Sequence, residues 1–446
     1  MSVKKNILRN GIATVIAKSF KIIEQLLLVP FFISYWGAEY YGEWLTLTII
    51  PSMMAFSDLG FGTSAANRFL LQYASGDKQG AADTSRSAVF LISVVVACGI
   101  VLSALAIFIL DQLHIFDKSL IARQDAVWAL FFLMAARVIT FYNQFYEAYF
   151  RAARRAALGI NLQTVYSAAN IIFGIVVLLS GGGIVSFALV NLAVSIIFNP
   201  AYNWKAKHTL GLYKTHEGKI VRTEIKRIMK NGLGYLLSPV WQAIYFQGTT
   251  FVIRLTLGPL AVTVFNTMRT LIRSVSQVFN MITLSVFPEF QFEIGAGNLG
   301  KARKIFRLTF MGIMACAVLG IMFLYFLGPW FYTLWTKKAL DPPPVMWNIF
   351  IVSIAFNAMW WMATIIFQAY NKPYYFTFAG TIAAVISVLS TWYFSLRYGL
   401  EGAAIGSFIL DLLLAFYLLP FGCKLLGQPV TGLFNDLRQL RLRNEN

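Results

Sequence analysis

The sequence predicts an all-α polytopic membrane protein, with about twelve transmembrane helices in two pseudo-symmetric six-helix lobes around a central cavity. Three observations lead there. Of 446 residues, 58% are hydrophobic and only 13% charged, where soluble chains carry about 25% charged. Continuous apolar runs of about 20 residues recur along the whole length, enough to cross a bilayer as helices. Short motifs also recur in register between the two halves. The runs do not alternate apolar with polar, as the strands of a transmembrane barrel do.

Twelve spans follow in order, at about 11–35, 42–71, 86–110, 125–150, 156–180, 184–204, 232–257, 260–290, 306–331, 344–369, 374–396 and 402–421. The first begins after a basic N-terminus and is interrupted by Lys18, Lys21 and Glu24. It lacks the clean apolar region of a cleaved signal and reads as a helix. The implied division is an N-terminal lobe at 1–204, a cytoplasmic linker at 205–231, a C-terminal lobe at 232–421 and a basic cytoplasmic tail at 422–446.

The net charge of +18 suggests nucleic acid in a soluble protein. In a membrane protein it is first a topology signal, because Lys and Arg gather in cytoplasmic loops. With the N-terminus inside, inside segments hold 25 of these residues and outside loops five, Lys118, Arg123, Lys337, Lys338 and Arg397. Both termini are then cytoplasmic, and no nucleic-acid partner is expected. Cys98, Cys316 and Cys423 give neither a disulfide framework nor a metal spacing. No cofactor and no metal are expected.

The halves resemble each other. Asn10-Gly11 opens span 1 and Asn231-Gly232 opens span 7. QYASGDKQGAA at 72–82 follows span 2, and QFEIGAGNLGKA at 291–302 follows span 8. An even number of spans per half gives repeats of the same orientation, related by an axis along the membrane normal.

Seven cations lie within spans: Lys18, Lys21, Arg68, Arg137, Arg254, Arg269 and Arg273. A helix turns about 100° per residue. On span 8, FNTMRTLIRSVSQVFN (265–280) therefore places Asn266, Arg269, Arg273, Gln277 and Asn280 within an arc of about 80°. On span 1, Thr14, Lys18, Lys21 and Gln25 share about 60°, with Glu24 at the edge. On span 4, Arg137, Thr140, Gln144, Glu147 and Arg151 share about 80°. Span 10 offers Ser353, Asn357, Thr364 and Gln368 without charge.

A charge at mid-bilayer costs about 2.5–3.5 kcal/mol even on the lenient insertion scale. For Lys18 and Arg151, near helix ends, snorkelling to the headgroups is the plain alternative. For Arg137, Arg269 and Arg273 the alternative is pairing with Glu24, Asp58 or Glu147. Those three acids are too few for all the deep cations, and the excess predicts an anionic ligand. Asp411 in span 12 is an isolated acid: a coupling site, or a packing hydrogen-bond partner. Trp36, Trp44, Trp330 and Trp335 are expected in an interfacial belt.

Several stretches resemble a known family. Glu39-Tyr-Tyr-Gly-Glu-Trp44, Asp58-Leu-Gly-Phe-Gly62 followed by Arg68, Pro288-Glu-Phe, Gly295 and Lys301-Ala302 resemble the Wzx-type polysaccharide flippases. These belong to the multidrug/oligosaccharidyl-lipid/polysaccharide exporter superfamily. The resemblance implies two lobes switching by alternating access around a cationic lumen, here Lys21, Arg137, Arg269 and Arg273. It implies transfer of undecaprenyl-pyrophosphate-linked oligosaccharide between leaflets of a bacterial inner membrane, for surface polysaccharide such as O-antigen of lipopolysaccharide. Membrane lipids, a glycan polymerase and glycosyltransferases are the implied partners. Na⁺ or H⁺ coupling through Glu24, Asp58, Glu147 or Asp411 is a further expectation.

Two other classes are the alternatives. A drug or cation antiporter of the same superfamily wants a net acidic pocket, which the excess of deep cations opposes. A membrane glycan polymerase usually displays a large outer loop. The longest here, about 111–124, is short and holds no catalytic constellation. A transporter rather than an enzyme is expected.

Overall fold

The computed structural model describes residues 3–54, 60–295, 297–370, 372 and 374–434. Asp58 and the end of the basic tail lie outside them. Among the described residues the chain is helical and forms no strand.

The helices follow the predicted spans. Span 1 is α1 (Val3–Trp36). Span 2 is broken into α2 (Ala38–Leu47), α3 (Ile49–Met53) and α4 (Phe61–Ala74). Span 3 is α5 (Lys78–Gln112), and span 4 is α6 (Arg123–Ile139) with α7 (Phe141–Ala152). Spans 5 and 6 are α8 (Ala156–Leu179) and α9 (Ile184–Leu210). Spans 7 and 8 are α10 (Arg222–Leu257) and α11 (Pro259–Gly295). Span 9 is α12 (Leu299–Phe326) with α13 (Gly328–Trp335), and span 10 is α14 (Pro344–Ala369). Spans 11 and 12 are the two arms of α15 (Tyr374–Leu425), which turns at Gly399 with φ 58 and ψ −137. That conformation suits only glycine. Beyond the turn the arms touch backbone to backbone. A Cβ on Gly402 would lie 2.0 Å from the Phe394 carbonyl oxygen, and one on Gly406 2.3 Å from the Thr391 nitrogen.

Among the described residues seven helical stretches, one of them α6 with α7, are long and apolar enough to cross a membrane. α1, α10 and α11 have the length, but their polar and charged residues dilute their apolar character. The apolar helices turn much of their surface outward. Ile197 is 75% exposed, Phe326 70% and Phe416 69%. Apolar surface of this extent needs lipid, not water.

The chain divides into two compact units, Met1–Val240 and Trp241–Asn446, the division falling within α10. The first is cored by Phe69, Phe145, Phe150, Ile92 and Tyr202, with Phe69 stacked on Tyr149 at 4.6 Å between centroids. The second buries Phe265, Phe279, Phe306, Phe310, Tyr332 and Phe367. Two of the four expected belt tryptophans join the interior instead. Trp44 and Trp335 are buried, Trp44 against Trp36 and Phe187 and Trp335 against Tyr332. Aromatic packing within the unit wins over interfacial placement there. Trp330 is exposed as expected.

The internal repeat reappears as one turn built twice. Gly76 (φ 88) and Gly297 (φ 76) take left-handed conformations. Asp77 and Asn298 follow as the N-cap residues of α5 and α12. Lys78 N–H donates to the Gly76 carbonyl, and Leu299 N–H to the Gly297 carbonyl, both at 2.9 Å.

Candidate substrate-binding site

In the second unit, the polar stripe of α11 lies beside Phe246, Thr249 and Thr250 of α10. Arg269 is half-buried and spends its donors on protein. Its guanidinium donates to the Thr249 and Thr250 hydroxyls at 2.8 Å each and to the Phe246 carbonyl at 3.3 Å. It also donates to Asn266 Oδ1. Asn266 is itself oriented by its amide donating to the Val262 carbonyl at 2.9 Å. Arg269 therefore fastens α11 to α10.

Arg273, one turn on, differs. Its guanidinium lies 4.2 Å from the Phe246 ring centroid. It has no hydrogen bond and no carboxylate partner among the described residues, and it is exposed. Arg269 lies over the same ring at 5.3 Å, and over Phe265 at the same distance. Cation–π contact orients a guanidinium without consuming its N–H donors. At 1.5 Å per residue, Arg273 stands about 21 Å from the start of α11. That is too deep to reach either headgroup layer easily. Gln277 and Asn280 continue the stripe, both half-buried.

Asp411, on the second arm of α15, is buried. One carboxylate oxygen accepts from the Asn357 amide at 3.0 Å and the Trp360 indole at 2.8 Å. It thus ties α15 to α14. Tyr245 OH donates to the Ser407 carbonyl nearby at 3.2 Å. Gln368 is exposed near the end of α14, and Arg254 is half-buried near the end of α10.

In the first unit, the predicted stripe of span 4 is its exposed side: Arg137, Gln144, Glu147 and Arg151 are exposed while Val138, Phe145, Tyr146 and Ala148 are buried. Thr63 donates to Gln144 at 3.3 Å. Lys18 and Lys21 reach a groove of about 440 Å³ also lined by Glu147, Gln163, Thr164 and Ser167. Charges there are largely compensated. Lys21 meets Glu24 at 2.8 Å, and Arg151 meets Glu147 at 3.7 Å. Gln25 is half-buried on the same helix.

Arg68 is committed elsewhere. It binds Glu224 through both arms of its fork, at 2.6 and 2.8 Å. Thr84 adds a bond to Glu224 at 3.1 Å and Arg227 one at 3.3 Å. The Arg68 hydrogen bonds hold the Glu224 carboxyl below its ordinary range. The adjoining segment is fastened too: Lys219 N–H donates to Asp83 at 2.8 Å and Val221 N–H to Ser87 at 2.9 Å. Arg68 thus holds the start of α10 against α4 and α5.

The cradle of Arg269 and the partner of Arg68 escaped the sequence reading. Helical arcs compare residues on one helix, whereas Thr249 and Glu224 act across helices. The adjacent Thr249-Thr250 pair inside an apolar span was the available signal for the first.

Two helical units of this kind define a polytopic membrane protein with the fold of the MATE transporters. A multidrug resistance MATE family transporter of the MOP superfamily, in its inward-facing conformation, superposes with TM-score 0.74 at 17% identity, covering 96% of this chain and 99% of that one. Its outward-facing conformation gives 0.65 at 17% identity, covering 97% of each. A MOP superfamily transporter from Pyrococcus furiosus gives 0.65 at 17% identity, covering 95% and 96%. At this identity the likeness is one of fold. A search of the curated proteins finds no match. The family model of the polysaccharide biosynthesis proteins, Polysacc_synt, matches residues 7–291. The chain belongs to that family, in agreement with the Wzx-type resemblance.

Proposed function

We propose that this protein is a flippase. It moves undecaprenyl-pyrophosphate-linked oligosaccharide repeat units from the inner to the outer leaflet of the bacterial cytoplasmic membrane by alternating access. The observation that carries the reading is Arg273. It is an exposed guanidinium, deep in a span, oriented by Phe246 and without a carboxylate partner among the described residues.

A pyrophosphate brings about two negative charges, and the planar guanidinium fork suits phosphate oxygens. Asn280 and Gln277 on the same stripe offer hydrogen bonds to sugar hydroxyls. The polyprenyl tail stays in the bilayer. An inside-negative potential favours outward movement, by about 2.3 kcal/mol per charge per 100 mV if the full field is crossed. Glycosyltransferases would supply the repeat unit and a glycan polymerase would consume it. Glu24, Glu147 and Asp411 are the described candidates for ion coupling.

The test is export of surface glycan in cells carrying Arg273→Glu. Loss of export with normal membrane insertion supports the reading. Unchanged glycan with measurable dye efflux favours a drug antiporter instead.

A further inference from the structure

A cationic cavity lies in the first unit, and no residue of the α11 stripe lines it. It has a volume of about 540 Å³ and is lined by Tyr73, the Ala153–Arg155 turn joining α7 to α8, and Lys205, His208 and Thr209 of α9. No carboxylate lines it. Arg154, Arg155 and Lys205 make no side-chain hydrogen bond or ion pair among the described residues. Arg68, Arg123 and Lys301, by contrast, pair with Glu224, Asp111 and Glu293. Three unpaired cations sharing one cavity repel one another, and an anion relieves that repulsion.

The backbone gives a second, independent sign. Helix α7 ends with Arg155 N–H donating to the Phe150 carbonyl at 2.8 Å and Arg154 N–H to the Arg151 carbonyl at 3.0 Å. This closure puts Arg154 in the left-handed region, at φ 55. The same closure after α8, α11 and α15 uses Gly181, Gly297 and Gly427, and after α13 it uses Lys337 at φ 53. A side chain there costs about 1 kcal/mol. An arginine occupies the position glycine often takes in this turn, and it lines the cavity.

The depth of the cavity follows from its aromatic neighbours. Trp204 is 58% exposed and Tyr213 49%. Both ring systems pack against His208, at 4.2 and 5.3 Å between centroids. Exposed Trp and Tyr at a helix end mark the interfacial layer, where lipid phosphates lie. An exposed cationic site binds free phosphate poorly against water, whereas the bilayer presents lipid phosphate there at high local concentration.

We propose that this cavity binds the phosphate of an anionic glycerophospholipid headgroup, held by Arg154, Arg155 and Lys205. Native mass spectrometry of the full-length protein in detergent tests it, with phosphatidylglycerol, phosphatidylcholine, farnesyl diphosphate and inorganic phosphate as probes. The expected result is preferential retention of phosphatidylglycerol over phosphatidylcholine. The Arg154→Gln/Arg155→Gln/Lys205→Gln variant is expected to retain it about tenfold less well or worse. Millimolar inorganic phosphate is not expected to displace it. Equal retention of the two lipids, or full retention by the variant, overturns the proposal. So does displacement by inorganic phosphate, which assigns free phosphate, or retention of farnesyl diphosphate alone, which assigns the cargo. If the triple variant elutes abnormally on size exclusion, the single variants Arg154→Gln and Lys205→Gln are read by the same criteria. Because Arg273 is not among the residues lining the cavity, loss of lipid retention leaves the transport reading standing.

Discussion

Methionine at position 269 and methionine at position 273 should behave as different mutations, although both remove an arginine from one stripe. Arg269 donates to two hydroxyls, a carbonyl and an amide oxygen. Hydrogen bonds from a charged donor contribute about 1.5–3 kcal/mol each, but these share one group and are not additive. Relief of the buried charge, about 2.5–3.5 kcal/mol, offsets part of the loss. A net destabilisation of about 2 kcal/mol is expected for Arg269→Met. Arg273→Met loses only the Phe246 contact, about 0.5–2 kcal/mol, and gains the same relief. Its stability should stay level or rise. Thermal unfolding in detergent, followed by size exclusion, reads the difference. Transport in vesicles should fall in both variants. Equal melting of the two variants, or a larger loss for Arg273→Met, would refute the division into a fastening and a ligand-facing arginine.

Three further outcomes follow from other contacts. Glu224→Gln should cost about 1–3 kcal/mol by leaving Arg68 unmatched. The Glu224 carboxyl is held below its ordinary range, so the pair's contribution is present above that range and disappears as pH falls through the lowered value. Wild-type melting should therefore drop more steeply than the variant's below about pH 4. Gly402→Ala pushes a methyl onto the Phe394 carbonyl, with 2.0 Å available, and should destabilise by about 1–3 kcal/mol or more, visible as loss of monodisperse protein. Asp411→Leu strands the Trp360 and Asn357 donors and should cost about 1–3 kcal/mol, whereas Asp411→Asn keeps an acceptor and should melt near wild type. Lost transport in Asp411→Asn at unchanged melting would show that Asp411 does more than pack.

Spans were legible because apolar length is a property of consecutive residues. Even the turn between spans 11 and 12 fell in the gap between 396 and 402, where Gly399 stands. The α11 stripe was legible for the same reason, since Asn266, Arg269 and Arg273 recur at helical spacing. What each arginine does was not legible. Arg68 and Arg273 look alike within a span, yet one is clamped by Glu224, 156 positions away, and the other stands against a ring. Trp44 and Trp335 show the same limit: nothing local distinguishes a belt tryptophan from one that packs against Phe187 or Tyr332.

The most direct test is leaflet transfer itself. Wild-type protein and Arg273→Glu would be reconstituted into vesicles loaded on one side with a fluorescent polyprenyl-diphosphate oligosaccharide. Loss of fluorescence to a membrane-impermeant quencher then reports arrival in the other leaflet. The proposed role of Arg273 predicts rapid protein-dependent transfer for the wild type and a rate at least about a hundredfold lower for Arg273→Glu, the equivalent of about 2.7 kcal/mol. Equal rates for the two proteins would contradict it.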